Sequence, residues 1–131
     1  MTDRSLTADI AAFFDDFVEA FLSFEGARIA DRYHVPSVAY RGDRSIQCLE
    51  SRAELERFFQ AAVDSYRRDG CRGIRFTDLE VAPMGGRSVL GTVTWELVRE
   101  DGSVLQHWRQ SYNLVWVEAG WKILASTYHV G

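Results

Sequence analysis

The chain has 131 residues, with 15 Lys and Arg against 19 Asp and Glu and a formal net charge of −4. Hydrophobic residues make up 47%, aromatics 13% and charged residues 26%, the profile of one globular domain over residues 1–131, which excludes disorder, collagen and a disulfide scaffold. The mild acidity argues against nucleic acid as a partner, and no stretch approaches the ~18 apolar residues of a membrane span.

Residues 6–24 read as an amphipathic helix. Ile10, Phe13, Phe14, Phe17, Val18, Phe21 and Leu22 recur at helical spacing, with Asp15, Asp16 and Glu19 opposite. A stripe so rich in Phe calls for a broad apolar surface to lie on. A second short helix is expected over residues 26–34, carrying Ala27, Ile29, Ala30 and Tyr33, and Pro36 should stop it by disfavouring helix at Val35. A hairpin follows, with Val38-Ala39-Tyr40 and Ile46-Gln47-Cys48-Leu49 as arms and Gly42-Asp43 as turn. Ser51-Arg52-Ala53-Glu54 is a capping box. It opens a third helix through Leu55, Phe58, Phe59, Ala62, Val63 and Tyr66, closed by Gly70.

After Gly70 the hydrophobic period changes from 3.6 to 2. Residues 74–81, 88–99, 104–117 and 121–130 read as four strands, punctuated by Gly85-Gly86, Asp101-Gly102 and Ala119-Gly120. The alternation slips at Thr77-Asp78, where Ile74 and Phe76 give way to Leu79 and Val81. A bulge there would bend the sheet. The expected fold class is α+β: three N-terminal helices packed in a strongly curved antiparallel sheet, a cone with a cavity at its open end.

Element order, the capping-box helix of Ser51–Phe59, and the turn Glu118-Ala119-Gly120-Trp121-Lys122-Ile123 into the last strand carry a resemblance over nearly the whole chain. The sequence resembles the nuclear-transport-factor-2-like superfamily, which includes ketosteroid isomerases, scytalone dehydratase and SnoaL-type polyketide cyclases. The resemblance implies the cone fold. It also implies a homodimer through the outer face of the sheet, where Val115, Val117, Leu124 and Tyr128 would lie. The superfamily hosts enzymes, binding modules and dimerisation modules, so the fold leaves the function open.

Strand parity places side chains. Trp121, Ile123, Ala125, Thr127 and His129 share one face of the last strand, read as inner. Trp108, Gln110, Tyr112, Leu114 and Trp116 share the inner face of the strand before, and Val89, Val93, Trp95 and Leu97 that of the strand before it. A bulge would reverse either assignment. Tyr112 with His129 is then the sharpest catalytic pair: a phenol to donate to an oxyanion, an imidazole to move a proton. Tyr112 also lies near the isomerases' oxyanion-stabilising acid. The alternative is that Tyr112 is a core aromatic and His129 frays at the C-terminus. The isomerase pattern breaks elsewhere. Its helix-one tyrosine falls on the Phe stripe, and its general base falls near Arg41-Gly42-Asp43, where Asp43 is a weak substitute that reads better as a turn residue.

Scytalone-dehydratase chemistry would need His34, His107 and His129 around one water with Asp31 and Tyr40, yet parity sends His107 outward. Tyr40, Trp95, Trp108, Gln110, Trp116 and Thr127 are the expected ligand-binding residues, a lining suited to a flat apolar ring. No cofactor is expected, nor a metal, because no His pair has i,i+2 or i+4 spacing. Cys48 and Cys71 lack ligand spacing and a neighbouring His, and read as reduced thiols. With no secretory signal at the N-terminus, they suit a cytoplasmic protein. Arg67, Arg68, Arg72 and Arg75 form the one basic cluster, read as solvated. Three classes stay open: acid–base enzyme on a ring-containing substrate, binding module, and dimeric interaction module.

Overall fold

Helix α1 (Asp3–Leu22) lays its apolar stripe on a sheet, and that contact decides how the molecule closes. The computed structural model describes residues 3–131, with side chains from residue 5 onward. Ile10, Phe14, Phe17 and Ala20 are fully buried, while Asp9, Asp15, Asp16 and Glu19 face water. The sheet has six strands: β1 (Tyr33–Tyr40), β2 (Ile46–Leu49), β3 (Gly73–Pro83), β4 (Ser88–Val98), β5 (Val104–Val117) and β6 (Gly120–Tyr128). Their order is β2-β1-β6-β5-β4-β3. All neighbours are antiparallel except β1 and β6, which run parallel. Trp95 of β4 is the hub of the core: its ring lies 5.8–6.3 Å from those of Phe14, Phe17, Phe21, Phe76 and Tyr112.

Gly91 lets α1 approach the sheet closely. A Cβ there would sit 3.0 Å from the Phe14 ring, so the bare backbone of β4 is the seat for that phenylalanine.

The second helix departs from the sequence expectation. Helix α2 covers only Gly26–Ala30, and Tyr33 opens β1 instead of continuing it. Three tertiary contacts win over local pattern. Gly26 is pressed against α3 (Arg52–Arg68), where a Cβ would meet the Glu56 carbonyl at 2.5 Å. Beyond the helix, the Arg32 carbonyl accepts from the Ile123 N–H (2.9 Å), and the Tyr33 ring packs 4.5 Å from that of Phe59. Pro36 lies inside β1, after a cis Val35–Pro36 bond.

The capping box forms with a shift. Ser51 Oγ accepts from the Glu54 N–H (3.2 Å), but the Glu54 carboxylate reaches back to the N–H of Glu50, one residue before the cap. Gly70 ends α3 at φ +105°. The expected bulge in β3 is present: Asp78 has φ 54° and the register slips between Thr77 and Glu80.

A second bulge, which the sequence did not announce, lies in β6. Asn113 and Leu114 of β5 pair with Ala125 and Ile123, so Leu124 is the extra residue. The β5–β6 turn is one residue earlier than expected: Glu118 (φ 49°) and Ala119 (φ 64°) are its two central residues, and Gly120 begins the strand. Both cysteines are free, Cys71 buried and Cys48 exposed. Among the described residues no helix is long and apolar enough to cross a membrane.

Candidate functional site

The sheet curls past the end of α1, and the space beyond is open. It is a cavity of about 190 Å³ walled by β1, α3, β5 and β6, with Phe21, Ile74 and Trp95 behind. Three kinds of wall can be told apart.

The first is aromatic. Trp108 of β5 stacks on Tyr128 of β6, the rings 5.7 Å apart and 9° from parallel. The far side of the Tyr128 ring rests on Gly42, where a Cβ would lie 3.1 Å from it. Tyr128 is therefore held between a tryptophan and bare backbone. This explains Gly42 better than the turn does, because the left-handed residue of the turn is Arg44 (φ 71°). Phe58 and Phe59 face them from α3.

The second wall is hydroxylic. Tyr33, Tyr66 and Tyr112 line the cavity with Ser37 and Ser126. Tyr112 is buried and its oxygen accepts from Trp95 Nε1 at 2.7 Å, so the phenol keeps its own proton to donate. Burial raises its pKa well above that of a free tyrosine, and the Trp95 bond offsets part of that rise. Burial likewise pushes Tyr66 up to about 12, with a contribution from Tyr128 and an opposing pull from Arg41. Tyr33 is raised by burial and then by Tyr112 and Tyr66. These three phenols stay protonated at neutral pH, as donors rather than bases. Ser37 is buried, and its Oγ finds no hydrogen-bond partner among the described residues. Gln110 accepts from Trp108 Nε1 at 2.8 Å through its side-chain oxygen.

The third wall is the rim, where Arg41 lies over the Phe58 ring, 5.1 Å from its centroid. Tyr40 and Gly42 flank it.

Among the expected site residues, Tyr40, Trp95, Trp108, Gln110 and Tyr112 line this cavity. Thr127 and His129 do not. The Leu124 bulge reverses parity, so Ser126 and Tyr128 turn inward while Thr127 and His129 turn outward. His129 instead shares a hydrogen bond with Ser111 (2.8 Å), which bonds Thr92 (2.7 Å), on the other side of the sheet. Tyr112 and His129 therefore do not face one group. Trp116 packs against Trp121 at the β5–β6 hairpin, ring centroids 5.3 Å apart, away from the cavity. Asp43 is an exposed turn residue whose carboxylate accepts from the N–H (2.9 Å) and hydroxyl of Ser45. Those bonds lower its pKa, the wrong direction for a general base.

Sequence reasoning missed Ser37, Arg41, Tyr66, Ser126 and Tyr128. Tyr66 was legible, since it continues the apolar stripe of α3. Ser126 and Tyr128 follow once the bulge is known. Ser37 and Arg41 gave no signal. Among the described residues no carboxylate or imidazole lines the cavity, and no three His, Cys, Asp or Glu side chains gather as a metal would need.

A family model described as NTF2-like protein (DUF6841) matches residues 8–130. No curated protein matches the sequence. Aln2 from a Streptomyces species superposes with TM-score 0.76 at 14% identity, over 98% of this chain and 93% of that one. A Novosphingobium aromaticivorans protein, provisionally described as an aromatic ring hydroxylase, gives 0.74 at 15% identity, over 98% and 90%. A Xanthomonas campestris protein, provisionally described as a calcium/calmodulin-dependent protein kinase II association domain, gives 0.67 at 17%, over 92% and 85%. At such identities the likeness is one of fold.

Proposed function

This chain belongs to that NTF2-like family, and from that premise we propose that its cone binds a small, flat, ring-containing molecule. The observation that carries the reading is the open cavity itself. With 17 aromatic residues (eight Phe, four Trp, five Tyr) the chain could have filled its cone, yet about 190 Å³ stays free beside the Trp108–Tyr128 stack. An apolar cavity of about 150 Å³ already holds benzene, so the space suits one substituted ring or two fused rings.

Binding is favoured over acid–base turnover. Tyr112 and Tyr66 can donate hydrogen bonds to a ligand oxygen, and Tyr112 can act as an oxyanion donor. Proton abstraction would need a base, and the groups weighed for that role, Asp43 and His129, lie off the cavity. A panel of one- and two-ring compounds should raise the melting temperature by mass action. A panel in which no member shifts it would sink the reading. The reading extends to assembly: two copies pair through the outer face of the sheet, where Leu90 is exposed beside Asn113 of β5. Solution mass is expected to report two chains, and a single chain at micromolar concentration contradicts the pairing.

A further inference from the structure

The cavity's charge is one-sided. Among the described residues that line it, Arg41 is the one cation and there is no acid; its remaining titratable groups are tyrosines. Arg41 forms no ion pair among the described residues. Its nearest acid in sequence, Asp43, is committed to Ser45, although Arg41 is near enough to help hold that carboxyl ionised. Contact with the Phe58 ring keeps the guanidinium at the mouth, and its charge is felt as far as the Tyr66 phenol. A guanidinium is built to meet a carboxylate with two parallel N–H donors. Behind it lie neutral hydroxyl donors and stacked rings, which give no reason for a second charge on the ligand.

We propose that the cavity selects a flat one- or two-ring molecule bearing a single carboxylate, with the ring beside Trp108 and Tyr128 and the carboxylate on Arg41. This rests on the ring-binding reading above and adds the charge of the ligand. The chain as a whole is negative, at −4, so the preference is local. It weakens as salt is added, because the pair at the rim is open to screening.

The test is calorimetric titration of the full chain with a matched pair of probes, 2-naphthoate and 2-naphthylmethanol. Naphthoate is expected to bind roughly tenfold tighter or more, the scale of one hydrogen-bonded charge. Arg41→Gln should bring the two probes together, and Arg41→Lys should restore part of the gap. The Arg41 side chain is exposed, its hydrogen bonds in the fold are backbone ones, and its one ring contact is with Phe58 at the rim, so both variants fold. Equal binding of the two probes to the natural chain, or a preference that survives Arg41→Gln, overturns the charge assignment and leaves ring binding standing. Failure of both probes to bind overturns both readings.

Discussion

The two ends of the cone are built from the same strands and the same kinds of side chain, yet one end is solid and the other open. At the solid end, Phe14 and Phe17 come down from α1 between Phe76, Trp95 and Tyr112, mostly edge to face. Gly91 clears the ground for Phe14. At the open end α1 has stopped at Leu22, and the rings of β5 and β6 stack on one another, with Tyr66 of α3 6.4 Å from Trp108. Aromatic content therefore does not separate core from pocket. What separates them is whether the stripe of α1 arrives to fill the space.

The sharpest way to break this comparison is to remove one ring from each end. Phe14→Ala should cost about 3–5 kcal/mol, because it empties a site the surroundings cannot refill. Trp108→Ala should cost clearly less by chemical denaturation, since its ring already borders free space, while abolishing the thermal shift given by ring compounds. Equal stability losses would contradict the division into packed and open ends.

Tyr112 sits on the border between them. Tyr112→Phe removes the acceptor of the buried Trp95 N–H, so a loss of about 1–3 kcal/mol is expected. Unchanged melting would instead mark the hydroxyl as belonging wholly to the cavity.

Alkaline stability sharpens the same border. Tyr66 is raised to about 12 in the folded chain, against ~10 for an unfolded tyrosine. The folded state thus holds this proton more tightly. Its contribution is fully present below about pH 10 and is lost as pH rises toward 12. Urea denaturation across that window should show falling stability, together with phenolate absorbance that lags behind that of exposed tyrosines. Early titration of every tyrosine would mean the hydroxylic wall is wet.

The smallest effect concerns the β5–β6 turn, remote from both ends. Glu118 and Ala119 both hold positive φ, a geometry that favours Gly at the second position. Ala119→Gly should stabilise by up to about 1 kcal/mol, with ring binding unchanged.

Two bulges show how much was legible in the sequence. In β3 the inward residues pass from Ile74 and Phe76 to Leu79 and Val81, so the slip is written in the apolar pattern. In β6 the run Ile123-Leu124-Ala125-Ser126 suits either face. Nothing there marks Leu124 as the extra residue, and one unseen residue moved Thr127 and His129 out of the site and Ser126 and Tyr128 into it. Elements long enough to carry a period were readable: α1, α3 and the four-strand meander. The α2–β1 boundary was not, because pairing of Arg32 and Tyr33 with Ile123 of β6 decides it from ninety residues away. Half of the site was readable for the same reason. Trp95, Trp108, Gln110 and Tyr112 lie on a stretch of the β4–β5 ladder that no slip interrupts, whereas Ser37 and Arg41 depend on how β1 is laid beside β6.

The central claim is that ring compounds enter the open end and nowhere else, and the four tryptophans report on it directly. Trp95 and Trp108 line the cavity, while Trp116 and Trp121 contact each other at the far hairpin. The decisive measurement is the indole N–H region of a ¹⁵N-correlated NMR spectrum, titrated with 2-naphthoate and then 2-naphthylmethanol. The Trp108 resonance should move most and Trp95 follow, with Trp116 and Trp121 unmoved. Four static signals, or movement confined to Trp116 and Trp121, would contradict it.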